Sequence, residues 1–299
     1  MGPVIAPSLI VHGGAGDVSP ADPEGAGAVV GCRAAARAGH DVLARGGSAL
    51  DAVVEAVRVL EDDPRFNAGT GSVLNLDGDV ECDASLMLGD GRAGAVACVR
   101  DVKNPVRLAR LVMEQTPHVL LVGTGAEAFA GAHAVERVPP GGLITAGMRA
   151  RWQAARAGRR APAVGGGTVG CVARDGGGRV AAATSTGGTL LKLPGRVGDS
   201  AVIGAGTYAD DAAGAVSCTG AGEAFIKAAA AVRAVEAMRA GLSPGQAAEE
   251  ALSWARRHGG SGGVICVDRA GNVGQAFDTP RMAHAWVDAA GVSGAGFRR

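Results

Sequence analysis

Apolar residues recur along this chain at two periods, and the changes between them mark out its elements. Residues 8–11 run apolar after Ser8 into a glycine turn, which predicts a strand entering a tight loop. Across 25–45, alanines and valines alternate with Arg33, Arg37 and His40, a helical pattern stopped by Gly46 and Gly47. Ser48, with Asp51 three residues on, caps a second helix, and Ala49, Ala52, Val53, Ala56, Val57 and Leu60 line one of its faces. Pro64 ends it. The period then shortens. Residues 73–76 and 80–87 around Asp77 and Gly78 predict a hairpin, 93–99 a further strand, 105–114 a helix and 119–122 a buried strand.

Residues 149–167 carry no pattern. They hold Arg149, Arg151, Arg156, Arg159 and Arg160 and end in three glycines, which predicts a solvated, mobile linker. Order resumes at Thr168. Residues 168–173 and 180–185, joined by Asp175 and three glycines, predict a hairpin; glycine-rich strands are expected around Val202 and Val216. Residues 221–240 place Phe225, Ile226, Val232, Val235 and Met238 at helical spacing and predict one long helix, and a hairpin of 263–267 with 273–277 ends the pattern. Antiparallel strands with paired helices suggest sheets sandwiched between helical layers.

Composition narrows the packing. Fifty of 299 residues are glycine, about one in six against about 7% on average. Three Trp, one Tyr and five Phe leave the core to Val, Leu, Ile and Ala, so elements must approach closely. With 47% hydrophobic and 19% charged residues, the chain is not disordered. Twenty-nine basic and 29 acidic residues give no net charge, and hence no electrostatic footprint for nucleic acid or an anionic membrane. The first basic residue is Arg33, so a charged leader segment is not expected, nor does any apolar run suggest a membrane span. Cys32, Cys82, Cys98, Cys171, Cys218 and Cys266 are scattered singly and read as reduced thiols, which points to the cytoplasm.

Two glycine patterns fit dinucleotide binding on paper. Gly165, Gly167 and Gly170 lead into a strand rather than a helix, so their context fails; Gly123, Gly125 and Ala128 follow a strand and keep a nucleotide-binding module open as an alternative. Thr168 is more informative, because it stands where the linker meets a strand. A threonine hydroxyl needs a base, and cutting the chain before it would supply one in its own new α-amine, whose pKa lies near 8. Gly167 suits that cut, since a residue without a side chain tolerates the geometry of an acyl shift from nitrogen to hydroxyl. The other reading is a β-favouring threonine that merely opens a strand.

The surrounding text bears on that choice. Gly167-Thr-Val-Gly170, Ala182-Ala-Thr-Ser-Thr-Gly-Gly188, Pro194-Gly-Arg-Val-Gly-Asp-Ser200, Ile203-Gly-Ala-Gly-Thr-Tyr208 and Val216-Ser-Cys-Thr-Gly-Ala-Gly-Glu223 resemble, in order, the plant-type asparaginase/isoaspartyl peptidase family. So do His12-Gly-Gly-Ala-Gly16, Gly46-Gly-Ser-Ala-Leu-Asp-Ala52, Leu60-Glu-Asp-Asp-Pro-Arg-Phe-Asn-Ala-Gly-Thr-Gly71, Asp101-Val-Lys-Asn-Pro105 and Gly259-Gly-Ser-Gly-Gly263. The resemblance spans nearly the whole chain.

It implies an α+β fold, the four-layer αββα sandwich of the N-terminal nucleophile (Ntn) hydrolases, as a single domain that cuts itself into 1–167 and 168–299. By resemblance Thr168 is the nucleophile, freed at the Gly167–Thr168 bond; Thr186 tunes it; Thr219 and Gly220 form the oxyanion hole. Arg196 and Asp199 match anchors for the carboxylate and ammonium of an aspartyl unit, with the Gly222 carbonyl a further contact. Backbone carbonyls of Leu60, Glu61, Asp63, Phe66, Ala68 and Thr70 match a structural sodium loop, and Asn67 in that loop is expected to reach the nucleophile. His12 is read as structural. The activity implied is that of a threonine-type hydrolase acting on L-asparagine and isoaspartyl dipeptides without a catalytic cofactor, as a homodimer of cut protomers. A glycosylasparaginase-like amidase is the alternative within the superfamily.

Overall fold

The computed structural model describes residues 6–17, 25–158 and 167–298. Strand β1 (Ser8–Gly16) precedes helices α1 (Ala26–Ala44) and α2 (Ala49–Asp62). The cap of α2 forms as its sequence predicts, with Ser48 Oγ accepting from the Asp51 N–H at 3.1 Å. Strands β2 (Cys82–Leu88) and β3 (Ala93–Val99) pair antiparallel and lead into α3 (Pro105–Gln115). A short β4 (Leu120–Val122), α4 (Gly123–Ala132) and α5 (Ala146–Arg156) follow. The second half opens with the predicted hairpin, β5 (Val169–Arg174) and β6 (Val180–Thr186). A 3₁₀ turn at Asp199–Ala201 precedes β7 (Thr207–Asp210) and β8 (Gly214–Gly220). Then come α6 (Gly222–Ala228), α7 (Ala230–Arg239) and α8 (Pro244–Arg257). Strands β9 (Gly262–Asp268), β10 (Val273–Phe277), β11 (Arg281–Val287) and β12 (Ser293–Gly296) complete the described elements.

The strands form two sheets, one ordered β12-β11-β1-β5-β6-β2-β3-β4 and the other β10-β9-β8-β7. They face each other across Ile10, Val172, Ala182, Ala215, Ile265 and Val267. Helices α1, α2 and α3 cover the outer face of the larger sheet, while α7 and α8 cover that of the smaller. This is the expected αββα sandwich. Small side chains let the layers close: a Cβ on Gly39 of α1 would stand 3.0 Å from the Ala52 carbonyl of α2. In the larger sheet, β1 lies between β11 and β5, and the β5–β6 hairpin lies between β1 and β2, so the two halves of the chain interleave.

Several expectations are corrected. Residues 73–76 form no strand: Asn75 Oδ1 accepts from the N–H groups of Asp77 and Asp79, both at 3.0 Å, and turns the chain. The segment instead meets the loop after β6, with Leu191 N–H on Leu74 O and Leu76 N–H on Lys192 O, each at 2.9 Å. Strand β4 sits at the sheet edge with Leu120 and Val122 exposed rather than buried. Residues 149–156 are not linker but the main part of α5, which Thr145 caps and Met148 and Trp152 pin to the body; residues 159–166 of the expected linker lie outside the described residues. Around Val202 the chain forms the 3₁₀ turn, and the strand comes later as β7. The single helix expected over 221–240 is broken at Ala229, in the left-handed region at φ 47°. The break lets Ala231 and Val232 donate to the carbonyls of Ala205 and Gly204, both at 3.1 Å. The apolar pattern does not predict strands β11 and β12, because buried Arg281 and His284 interrupt the alternation.

Candidate active site

Thr168 immediately precedes β5, beside the residue pair Val169 and Ser185. It is 9% exposed, and its Oγ1 donates to Thr186 Oγ1 at 3.0 Å. Thr186 Oγ1 also accepts from the Gly188 N–H at 3.0 Å. Two donors on one hydroxyl oxygen set the direction of the bond, leaving electron density on Thr168 Oγ1. The glycine turn of β1 presses on the other side. Gly14 has φ +97°, and a side chain there would collide with the backbone of Gly167.

Thr219 and Gly220 end β8 opposite Thr168. Thr219 Oγ1 accepts from the Ala15 N–H at 3.3 Å, so its own proton is left to donate. A Cβ built on Gly167 would stand 3.4 Å from that oxygen, which puts the Thr219 hydroxyl beside the Gly167–Thr168 peptide. Thr168, Thr219, Gly220, Asn67, Arg151 and Ser261 line a cleft of about 310 Å³. A larger groove of about 810 Å³ between α1, α2 and α3 contains none of the sequence-predicted site residues; its walls hold ion pairs such as Arg110–Asp51.

Arg196, Asp199 and Gly222 are also brought together. A Cβ on Gly222 would lie 2.8 Å from Arg196 Nη2 and 3.1 Å from Asp199 Oδ1, so glycine leaves the two charges an open floor. They do not pair with each other. Arg196 donates from Nε and Nη2 to the two carboxylate oxygens of Glu223, both at 2.8 Å. Asp199 is buried, and Oδ2 has no hydrogen-bond partner among the described residues. Burial pushes its carboxyl up to about 7, with Arg196 pulling the other way. Asn67 lines the cleft, but Nδ2 donates to Gly188 O at 2.8 Å and Oδ1 accepts from Val73 N–H at 2.9 Å; it braces the loops flanking Thr186.

The loop after α2 folds back on its own start. Glu61 O accepts from the Thr70 N–H at 2.8 Å. The carbonyl oxygens of Pro64 and Phe66 converge on the place a Gly71 Cβ would occupy, at 2.6 and 2.8 Å. Of the carbonyls expected to hold sodium, those of Leu60, Glu61 and Asp63 accept hydrogen bonds from the N–H groups of Asp63, Thr70 and Phe66, at 3.4, 2.8 and 3.1 Å. Among the described residues no cluster of three or more His, Cys, Asp or Glu side chains is placed to hold a metal. The Glu61 side chain faces inward, accepting from Ser185 Oγ at 2.6 Å and Val106 N–H at 3.0 Å, and burial raises its carboxyl to about 8.

His12 lies between the sheets with Nε2 3.0 Å from Ser217 Oγ. Burial lowers its pKa to about 3, so it is neutral at ordinary pH. The six cysteines carry free thiols. Of the glycine patterns, Gly165 lies outside the described residues and Gly123 opens α4 at the edge of the larger sheet. Sequence reasoning missed two site residues. Glu223 lies at the end of the Val216–Glu223 motif, where its own position gives no signal of a role, and Arg151 lies in the stretch expected to be linker. No helix is long and apolar enough to cross a membrane among the described residues.

Comparison with known proteins shows the family of the chain. Residues 5–296 match the protein family described as Asparaginase. The chain is 47% identical over 288 residues to the isoaspartyl peptidase/L-asparaginase of Xenopus laevis, covering 94% of this chain and 92% of that protein. It is 46% identical to the plant-type L-asparaginase of Pyrococcus abyssi (94% and 96% covered) and 46% identical to the isoaspartyl peptidase of Escherichia coli (93% and 92% covered).

Proposed function

Since the chain belongs to the asparaginase family of Ntn hydrolases, we propose that it hydrolyses L-asparagine and isoaspartyl dipeptides with Thr168 as an N-terminal nucleophile. The observation that carries the assignment is the buried Thr168–Thr186 hydroxyl pair, set beside the free hydroxyl proton of Thr219.

The reaction begins on the protein itself. Thr168 Oγ1 attacks the Gly167 carbonyl carbon, the peptide C–N bond breaks, and the resulting ester is hydrolysed by water. Gly167 ends as a carboxylate and Thr168 as a free amine. That amine, with a pKa near 8, takes the hydroxyl proton when Thr168 attacks the β-carbonyl of substrate. Thr219 and the Gly220 N–H receive the negative charge of the tetrahedral intermediate. Collapse expels ammonia or an amino acid, protonated by the Thr168 ammonium, and leaves a β-aspartyl ester. Water cleaves the ester and regenerates the enzyme. Arg196 takes the α-carboxylate of the aspartyl head, while Asp199 and the Gly222 carbonyl take its ammonium.

Interleaved strands argue that fragments 1–167 and 168–299 stay together after the cut, since separating them would break the β1–β5 and β2–β6 ladders. Two such protomers form a homodimer in this reading, and the free thiols suit the cytoplasm. Backbone carbonyls in residues 60–70 would hold sodium in this reading and stiffen the loop that carries Asn67. N-terminal sequencing of the purified protein, alongside assays on asparagine and β-aspartyl dipeptides, tests the assignment. Two fragments are expected, the second beginning at Thr168; full activity in an unbroken chain overturns it.

A further inference from the structure

Arg151 comes from a helix that sequence alone gives no reason to fold. The Thr145 side chain caps α5 by accepting from the Met148 N–H at 3.1 Å, and Met148 is buried. The indole N–H of Trp152 donates to the Asn75 carbonyl at 2.7 Å. These anchors hold the neighbouring Arg151 against the cleft that contains Thr168, Thr219 and Gly220. Its Nε is buried and has no hydrogen-bond partner among the described residues. Burial lowers its pKa with no carboxylate opposing it, whereas Arg196 is held up by Glu223. A buried guanidinium nitrogen without a partner is costly unless a ligand satisfies it.

The shape of the site says which ligand. In the proposed reaction, which this inference takes as its basis, the aspartyl head sits with Arg196 and Asp199. Neither residue lines the 310 Å³ cleft. With the head elsewhere and the reacting carbonyl at Thr168, that cleft is left to the departing group. Ammonia needs roughly the 30 Å³ of a water molecule, so the space suits an amino acid. We infer that Arg151 binds the free α-carboxylate of the leaving amino acid, and thereby sets a preference for isoaspartyl dipeptides over asparagine. A planar guanidinium matches a carboxylate with two parallel bonds, and asparagine offers this position nothing to hold.

The test uses three substrates: β-aspartyl-alanine, the same dipeptide with its C-terminus as a carboxamide, and L-asparagine. For the wild-type enzyme, kcat/KM is expected to be roughly 10- to 100-fold higher for the free acid than for the carboxamide, chiefly through KM. R151Q should bring the free acid down to the level of the carboxamide, so that the ratio of dipeptide to asparagine turnover falls by the same factor; R151K should restore part of it. Equal wild-type rates on acid and carboxamide, or a parallel loss on all three substrates in R151Q, overturn the inference while the reaction itself stands. A wild-type enzyme inert toward every one of them overturns the proposed reaction, and this role with it.

Discussion

Glu223 closes both oxygens of its carboxylate onto the Arg196 guanidinium, through two hydrogen bonds of 2.8 Å. The protein thus places one of its own carboxylates on the fork assigned to the substrate. The Glu223 side chain is 63% exposed, so the pair contributes little to stability and is easily displaced. E223Q is expected to lower KM for asparagine by up to roughly tenfold, with stability changed by less than about 1 kcal/mol. Steady-state kinetics and thermal melting check both; a raised KM would mean that Glu223 orients Arg196 rather than competing for it.

Removing the guanidinium acts the other way. R196A should raise KM roughly 30-fold or more, the usual consequence of truncating one partner of a charged contact, yet leave self-cleavage intact because no proposed cutting group touches it. An uncut R196A chain on a denaturing gel would contradict that separation of roles.

Thr168 and Thr186 should separate differently. T168A is expected to remain one uncut chain without activity. T186V, which keeps the shape but removes the oxygen accepting the 3.0 Å bond, should slow both cutting and turnover by roughly 10- to 100-fold. Time courses on gels and kcat measurements decide it, and unchanged rates of both would remove the role of Thr186.

Asp199 makes binding depend on pH. Burial raises its carboxyl to about 7, so below that pH it is protonated and offers no charge to the substrate ammonium. KM should therefore fall as pH rises through about 7, with Arg196 charged throughout. In D199N, KM should be higher and lose this inflection. A wild-type KM flat from pH 5 to 8 would rule out a titrating Asp199.

His12 makes stability depend on pH with the opposite charge logic. Its folded pKa, about 3, lies below the unfolded 6.5, so the folded state binds fewer protons between them. Its contribution is complete above pH 6.5 and is lost as pH falls toward 3. The stability difference between wild type and H12N, from urea melts, should shrink across that window. A difference independent of pH would mean that His12 is not buried in neutral form.

Much of this protein was legible along the chain. The cap of α2 needs only Ser48 and Asp51, three residues apart, and the β5–β6 hairpin needs only the turn at Asp175; local bonds leave local patterns. Thr168 after Gly167 was visible as a candidate nucleophile for the same reason, because the amine and hydroxyl it needs belong to one residue. Motifs in fixed order then identified the family. The misreadings have a common cause in distant partners. The left-handed break at Ala229 answers to the carbonyls of Gly204 and Ala205, and the turn at residues 73–80 meets the loop after β6. Strand β11 hides behind a buried Arg281 and His284, whose packing inverts the usual apolar signal.

The sequence by itself therefore determined the layers and the family and singled out Thr168 as the candidate nucleophile, since each rests on residues close together or on motifs read in order. Only the tertiary structure decided what surrounds that threonine. Glu223 occupies the fork of Arg196 across a loop, and Arg151 reaches the cleft on a helix held by Trp152 and the Asn75 carbonyl, 77 positions away. A period of 2 or 3.6 residues reports which face of an element is buried. It carries no information about which distant side chain that face will meet.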